Sequence, residues 1–355
     1  MTAGSAQAAR SATQLPSGRG PLLERLLTVL RGTASSAVLA GDAPAVSRSD
    51  PYGDDVQLAL YLCYELHYRP LVGVDADLEW DAELLAFRRL LERAFLAALR
   101  ADVAREAAAD AGGDDDVDAA LAPLLLEPSS GTGPSWFLQS SGEPWHLAEY
   151  VAHRSIYHLK EADPQSWVIP RLDGQAKASL VAVQHDEYGA GRGERMHAQL
   201  FAEMMLELGL DAGYGAYLDA VPAATLAPVN LMSMLGLHRS LRGAAVGQFA
   251  MIEVTSSPGS RRMSAACARL GAPKAGTRFY DEHIEADAVH EQVIRHELLA
   301  DLLEREPELA ADVIFGIRSS LLLDDRLGEH MMSTWTAGKS SLRRPLAQRG
   351  PSSRR

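Results

Sequence analysis

Apolar residues recur every three to four positions along most of the chain. The first such run follows Asp50–Pro51, where Val56, Leu60, Cys63 and Leu66 repeat at helical spacing. A second predicts a helix from about Leu78 to Val103, through Leu84, Phe87, Leu91 and Phe95. Beyond a Pro/Gly/Ser segment at 127–144, the same period predicts helices near 145–162, 175–208, 226–255, 262–270, 277–305 and 308–333. Pro164, Pro170, Gly209, Pro222, Pro258, Pro273 and Pro307 are read as the breaks between them. No useful stretch of apolar–polar alternation predicts a strand, and no segment repeats. The expected fold is all-α, with a main helical unit over 145–335 and a helical layer over 51–130 serving as lid or dimer surface. The helices over 54–105 show more apolar surface than the pair can bury alone, so a homodimer is expected.

The flanks read differently. Residues 1–50 are rich in Ala, Ser and Gly, with one short amphipathic stretch near Leu22–Leu30, and are expected to be mostly disordered. The acidic run 110–118, with Gly112 and Gly113 inside it, reads as a loop. Residues 336–355 carry Lys339, Arg343, Arg344, Arg349, Arg354 and Arg355 with no acid, which predicts a disordered, solubilising tail.

Composition narrows the function classes. At 355 residues and 47% hydrophobic, the chain can bury a substantial core. No run of eighteen apolar residues predicts a membrane span, and the N-terminus lacks the apolar core of a secretory signal. Cys63 and Cys267 are too few for a disulfide scaffold or a cysteine zinc site, and fit a reducing cytoplasm. The net charge of −13 falls on the central body, because both flanks are basic. A body this acidic repels a phosphate backbone, so nucleic acid is not an expected partner.

The sharpest local signal is FYDEHIEADAVHEQV, where His283, Asp287 and His290 stand at i, i+4 and i+7. On a helix these positions fall within about 60° of one another and span about 10 Å. Such a stripe meets one or two metal ions, or faces solvent among Glu282, Glu285 and Glu291. Glu187 and His197 flank YGAGRGERM; a straight helix would hold them about 15 Å apart. Gly189, Gly191 and Gly193 allow the backbone to bulge there and turn both inward. Glu161 closes the helix before Pro164. Glu253 sits among Ala250, Met251, Ile252 and Val254, where an acid is costly to bury unless paired or metal-bound. It also suits the exposed face of an amphipathic helix.

The stretches LKEADPQSWVIPRL, HDEYGAGRGERMHAQLF, the helix with Glu253, and FYDEHIEADAVHE together resemble the heme-oxygenase-like diiron oxidases and oxygenases. Within that family the likeness is nearest to the central diiron domain of the N-nitrosourea-forming type. It is strong over 145–335 and extends to the segment opening DPYGDDVQLALYLCYELHYRP. The resemblance implies a heme-oxygenase-like bundle and a ligand set of Glu161, Glu187, His197, Glu253, His283, Asp287 and His290. Of these, the four carboxylates Glu161, Glu187, Glu253 and Asp287 carry the catalytic expectation. In the family, the acid matching Glu161 accompanies N-oxygenation. Only about twenty residues follow Trp335 and they hold no cupin domain, so N–N bond formation is not expected.

The implied donors make chemical sense for iron. Carboxylates and imidazoles suit Fe or Mn, and no thiolate takes part. Four carboxylate charges neutralise two Fe(II) ions, and oxidation to Fe(III) leaves an excess positive charge, a balance suited to dioxygen activation. The expectation is therefore a two-iron enzyme using O2 as co-substrate, with an external electron donor. It would hydroxylate an amine or guanidine nitrogen of a small amino-acid-like substrate. Oxidative C–C cleavage or desaturation of an aliphatic acid or amino acid is the same-fold alternative; a non-catalytic metal-binding helical protein is another. Glu194 and His197 mimic the ExxH pair of ferritin-like proteins, but Asp287–His290 is the only partner pair, so Glu194 is expected to be exposed. His146, His153 and His158 are expected near the ligands or at the surface. Arg318 interrupts the apolar run 313–323 and either snorkels to solvent or binds a substrate carboxylate; with Tyr188 and Gln248 it is a candidate for contacting substrate.

Overall fold

In the computed structural model, residues 13–109, 116–127 and 130–346 are described, and among them there is no strand. A single isolated bridge pairs Thr13 with Leu71. The all-α expectation holds. Ten helices of ten residues or more carry the architecture among the described residues: α1 Pro21–Leu30, α2 Asp54–Glu65, α3 Ala82–Ala109, α4 Pro144–His158 and α5 Gly174–Glu187. They continue with α6 His197–Glu207, α7 Ala223–Leu237, α8 Arg242–Arg269, α9 Lys274–Val293 and α10 Ala310–Thr336.

The bundle is organised around α8, which packs along α9 and α10 and also touches α7. Its approach to α10 is set by glycine. A Cβ on Gly247 would stand 1.9 Å from the Val313 carbonyl oxygen, and one on Gly316 2.0 Å from that of Ala244. Each backbone therefore lies directly on the other. This contact fixes the height of Glu253, about 9 Å further along α8.

The N-terminal segment departs from the disordered expectation for 1–50. Residues 13–50 are built into the molecule, and 1–12 lie outside the described residues. Leu22, Leu23, Leu26, Leu27, Val29 and Leu30 are all buried, while Glu24 is exposed and Arg25 and Thr28 are half-buried, so α1 is an amphipathic helix whose broad apolar face is seated in the bundle. Asp55 of α2 caps it, accepting from the backbone N–H groups of Leu22 at 3.1 Å and Leu23 at 2.7 Å. The carboxy-terminal expectation changes likewise. Through 336–346 the chain is ordered: Leu342 is buried, and Glu149 accepts from the Ser341 N–H at 2.8 Å. Arg343 pairs with Asp54 at 3.1 Å and Arg344 with Asp219 at 2.8 Å. Residues 347–355 lie outside the described residues. Basic residues read as a solubilising tail thus pair with acids of the body.

α2 is buried along nearly its whole length against α1, α3 and α7. The apolar surface that suggested a second subunit is covered by this chain itself, which removes that argument for a dimer. Of the loop expected at 110–118, residues 110–115 lie outside the described residues, and Val117–Leu121 forms a short helix. The segment 127–144 also contains a helix, Pro134–Ser140, packed on α8 with Leu138 buried.

Three boundaries differ from the apolar pattern. The single helix expected over 175–208 is two, broken by left-handed backbone at Gly189, Ala190 and Gly191. The helix expected over 226–255 ends at Leu237, where His238 is extended. Arg171 caps that end, donating to the carbonyls of Gly236 and, at 2.8 Å, Leu237. Pro258, read as a break, lies inside α8. It removes one backbone hydrogen bond, and packing against α9 and α10 outweighs the loss.

Candidate metal centre

Five chain segments deliver the seven residues to one place. Glu161 lies three residues past α4, Glu187 ends α5 and His197 begins α6. Glu253 comes from the middle of α8, and His283, Asp287 and His290 from one stripe of α9. All seven are buried. The glycine-rich loop does what its composition suggested. Gly189 has φ +70°, and a Cβ there would stand 2.6 Å from the Met196 nitrogen, so only glycine lets the loop close on itself.

The seven fall into two groups that share Glu187. Donor atoms of Glu161, Glu187, His197 and His283 lie within 4.8 Å of one another, as do those of Glu187, Asp287 and His290. Glu253 joins the second group through Oε2, 3.2 Å from His290 Nδ1. The two oxygens of Glu187 divide between the groups: Oε2 is 2.8 Å from His197 Nδ1, and Oε1 is 3.7 Å from His290 Nδ1. Glu187 thus turns one oxygen towards each group of donor atoms.

Four inner atoms lack partners. Glu161 Oε2, His197 Nδ1, His283 Nε2 and Asp287 Oδ2 are buried without a hydrogen bond. The short His197–Glu187 contact lacks hydrogen-bond alignment, as expected of two donors aimed at a common point. Each orphaned polar atom costs about 1–3 kcal/mol unless something else satisfies it. The donors are all carboxylate oxygen or imidazole nitrogen, and both cysteines are elsewhere, on α2 and α8, their thiols pushed up to about 12 by burial. The residues fit iron.

Outer contacts orient the ligands. His283 Nδ1–H donates to the Phe279 carbonyl at 2.7 Å, which leaves Nε2 facing inward. His158 Nδ1 lies 2.7 Å from Glu161 Oε1, and Asp186 Oδ2 3.5 Å from His290 Nε2. Asp186 was not singled out from sequence; its only signal is its place beside Glu187. Of the other histidines, His146 and His153 are buried, and His153 sits between Thr225 and Ser341 at 2.6 and 2.9 Å. Glu194 is exposed, as expected.

The electrostatics are those of crowded acids. Burial would depress His283 and His290, but the surrounding carboxylates outweigh it and push them up to about 10 and about 11. Glu253 is pushed up to about 8 by burial, with Asp287 and Glu187 adding repulsion. Burial would raise Glu161 too, yet His158 and His283 hold its carboxyl below the usual range. Protons here occupy the place that cations would take.

A void of about 20 Å³ lies between Glu161, Glu187, Glu253, His283 and Asp287. That is room for one water-sized occupant. Next to it is a cavity of about 270 Å³, whose wall includes Glu161, His283, Tyr157 and Ile252, all shared with the void. Of the expected substrate contacts, only Gln248 lines this cavity. Arg318 does not: Ser320 and Asp324 give the cavity-facing side of α10, and Arg318 is rotated about 160° from Ser320 around the helix. Tyr188 points elsewhere, its hydroxyl 2.9 Å from Ser166 Oγ and donating to Asp163 at 3.0 Å.

Residues 148–325 match the family model described as iron-containing redox enzyme, a span that takes in all seven clustered residues. The chain belongs to the iron-containing redox enzyme family. No curated protein matches it. This redox enzyme thus has the heme-oxygenase-like bundle and an oxidoreductase's chemistry, with a buried Glu/His cluster suited to iron. No helix among its described residues is long and apolar enough to cross a membrane.

Proposed function

We propose that this redox enzyme is a non-heme diiron oxygenase that hydroxylates an amine or guanidine nitrogen of an amino-acid-like substrate. The observation carrying the reading is the split of Glu187 between two groups of ligand atoms, with Glu161 as an additional acid at the cavity side. The resemblance to the N-nitrosourea-forming type supports nitrogen as the atom oxidised. Two iron ions, when bound, would supply the redox chemistry that activates dioxygen.

The chain's own residues supply the rest. One oxygen atom of O2 goes to the nitrogen and the other leaves as water, so each turnover also draws two electrons and two protons from outside. An external donor provides the electrons. His158 Nδ1 and Glu161 Oε1, 2.7 Å apart, can hold and pass a proton at the cavity wall. Tyr157, Phe249 and Ile252 crowd the void and keep bulk water from it.

The test is oxygen uptake by the Fe(II)-loaded protein with and without amino-acid amines, with products read by mass. Substrate-dependent uptake and a product heavier by one oxygen at nitrogen support the reading. Glu161→Ala should keep most of its iron and lose that product. A product shortened by one carbon unit would favour oxidative C–C cleavage instead, and uptake indifferent to every amine would overturn N-oxygenation.

A further inference from the structure

Arg154 of α4 and Asp324 of α10 meet at one end of the 270 Å³ cavity, Nη2 to Oδ1 at 3.0 Å. Both also line a second cleft of about 660 Å³, so the pair stands where the cavity opens outward. Glu161 and His283 form part of the same cavity's wall. Arg154 and His158 lie one turn apart on α4, about 6 Å along its axis, and Glu161 follows three residues later. One stripe of side chains therefore runs from the guanidinium to the candidate iron ligands.

Two arginines line both cavities, and their situations differ. Arg262 is engaged: it donates to Ser135 at 3.0 Å and to Glu127 at 2.9 Å, and stacks over Trp136. Arg154 pairs with Asp324 and lies over the Tyr150 ring at 5.4 Å, and its buried Nε has no hydrogen-bond partner. Deeper in the cavity, Gln248 Nε2, Tyr280 OH and Ser320 Oγ are also buried without partners, in residues only 3%, 5% and 5% exposed. Three unsatisfied polar groups lining one cavity point to a polar ligand.

We propose that Arg154 and Asp324 bind the α-carboxylate and α-ammonium of a free amino acid whose side-chain nitrogen reaches the Glu161–His283 side. The proposal rests on the amine-oxidising reading above. A zwitterion entering the ion pair exchanges one charge contact for two and strands neither partner. A simple carboxylate would take Arg154 from Asp324 and leave the acid uncompensated; a simple amine would do the reverse. With His158 one helical turn, about 6 Å, from Arg154 and Glu161 three residues beyond it, the side chain that reaches the iron-ligand side is one as long as that of ornithine, lysine or arginine. Gln248, Tyr280 and Ser320 then serve as hydrogen-bonding groups along its length.

The test is anaerobic calorimetry on the Fe(II)-loaded protein with L-ornithine, L-lysine and L-arginine. Each is compared with its decarboxylated counterpart, putrescine, cadaverine or agmatine, and L-lysine also with 6-aminohexanoate. At least one amino acid should bind, with its decarboxylated or deaminated counterpart weaker by about 30-fold, as loss of a charged hydrogen-bonded contact dictates. Arg154→Gln and Asp324→Asn should each weaken that amino acid by about 30-fold while keeping wild-type iron content; Arg318→Gln, outside the cavity, should not. Equal binding of the truncated ligands, unchanged affinity in both variants, or no binding by any of the three amino acids would overturn the proposal. An amino acid that binds in this way yet yields no N-oxidised product would sink the N-oxygenase reading and leave the head-group site standing.

Discussion

Glu187 ends one helix and His197 begins the next, and a loop of nine residues between them brings Oε2 of the first to 2.8 Å from Nδ1 of the second. The loop manages this through three successive left-handed residues, Gly189, Ala190 and Gly191. Ala190 carries a Cβ in that conformation, at a cost of roughly 1–2 kcal/mol. Ala162, directly after Glu161, does the same with φ 73°. Both non-glycine residues with positive φ among the described ones thus lie beside candidate ligands, where bundle packing sustains the strain.

If Glu187 spans two ions, its loss differs in kind from the loss of a ligand to one. Glu187→Ala should fall from about two bound iron ions per chain to fewer than one, whereas His283→Ala should retain about one. Metal analysis after anaerobic Fe(II) loading separates the two outcomes. Equal losses in both variants would mean that Glu187 serves a single ion.

The stripe on α9 should depend on metal for its order. Without cations, Glu161, Glu187, Glu253 and Asp287 converge on a void of about 20 Å³ with only protons on His283, His290 and Glu253 to offset them, and the remaining repulsion is relieved most cheaply by moving one helix. α9 is the candidate, because Gly271 and Pro273 precede it, Gly276 lies in its first turn, and a π-helical turn, Ile294–Leu299, follows His290. Amide hydrogen exchange over 277–292 should slow when anaerobic Fe(II) is added. Identical protection in both states would indicate a preformed site.

Much of this was legible in the chain. His283, Asp287 and His290 share a stripe because helical period is local, and the loop glycines announced a change of direction. The packing of α1 was not legible: its amphipathic face showed at Leu22–Leu30, but the Ala, Ser and Gly around so short a helix gave no sign that the flanking chain from 13 to 50 is built into the molecule with it. Whether Arg318 faced solvent or the cavity was not legible, because the rotation of α10 is set by the Gly247–Gly316 contact with α8, a pairing that no local pattern reveals. Arg154 went unnoticed for the same reason, since only the tertiary arrangement shows that it meets Asp324.

That contact makes a stability prediction. Gly247→Ala places a methyl against the Val313 carbonyl, which cannot rotate away, and should cost about 1–3 kcal/mol. It should also disturb iron binding through the displacement of Glu253 on α8. Chemical denaturation of the two proteins checks the first effect; an unchanged midpoint would mean that α8 and α10 separate without penalty.

His153 makes a pH prediction. Burial, with His330 and Arg154 adding repulsion, lowers its pKa to about 3 in the folded chain, against an ordinary value of 6.5. The neutral ring therefore contributes stability that is fully present above pH 6.5 and lost as the pH falls towards 3, because the unfolded chain takes up a proton that the folded one refuses. Between pH 7.5 and 5 this loss amounts to about 2 kcal/mol. His153→Gln, which retains polar contacts to Thr225 and Ser341, should flatten the stability profile over that range by a similar amount. A parallel profile would assign the pH dependence to other groups.

The most direct measurement is the iron stoichiometry of the wild-type protein, titrated anaerobically with Fe(II) and followed by Mössbauer spectroscopy. The arrangement of ligand atoms around Glu187 predicts about two ions per chain in two distinguishable high-spin sites, magnetically coupled after oxidation. Saturation at one ion, or two ions without coupling, would contradict a dinuclear centre.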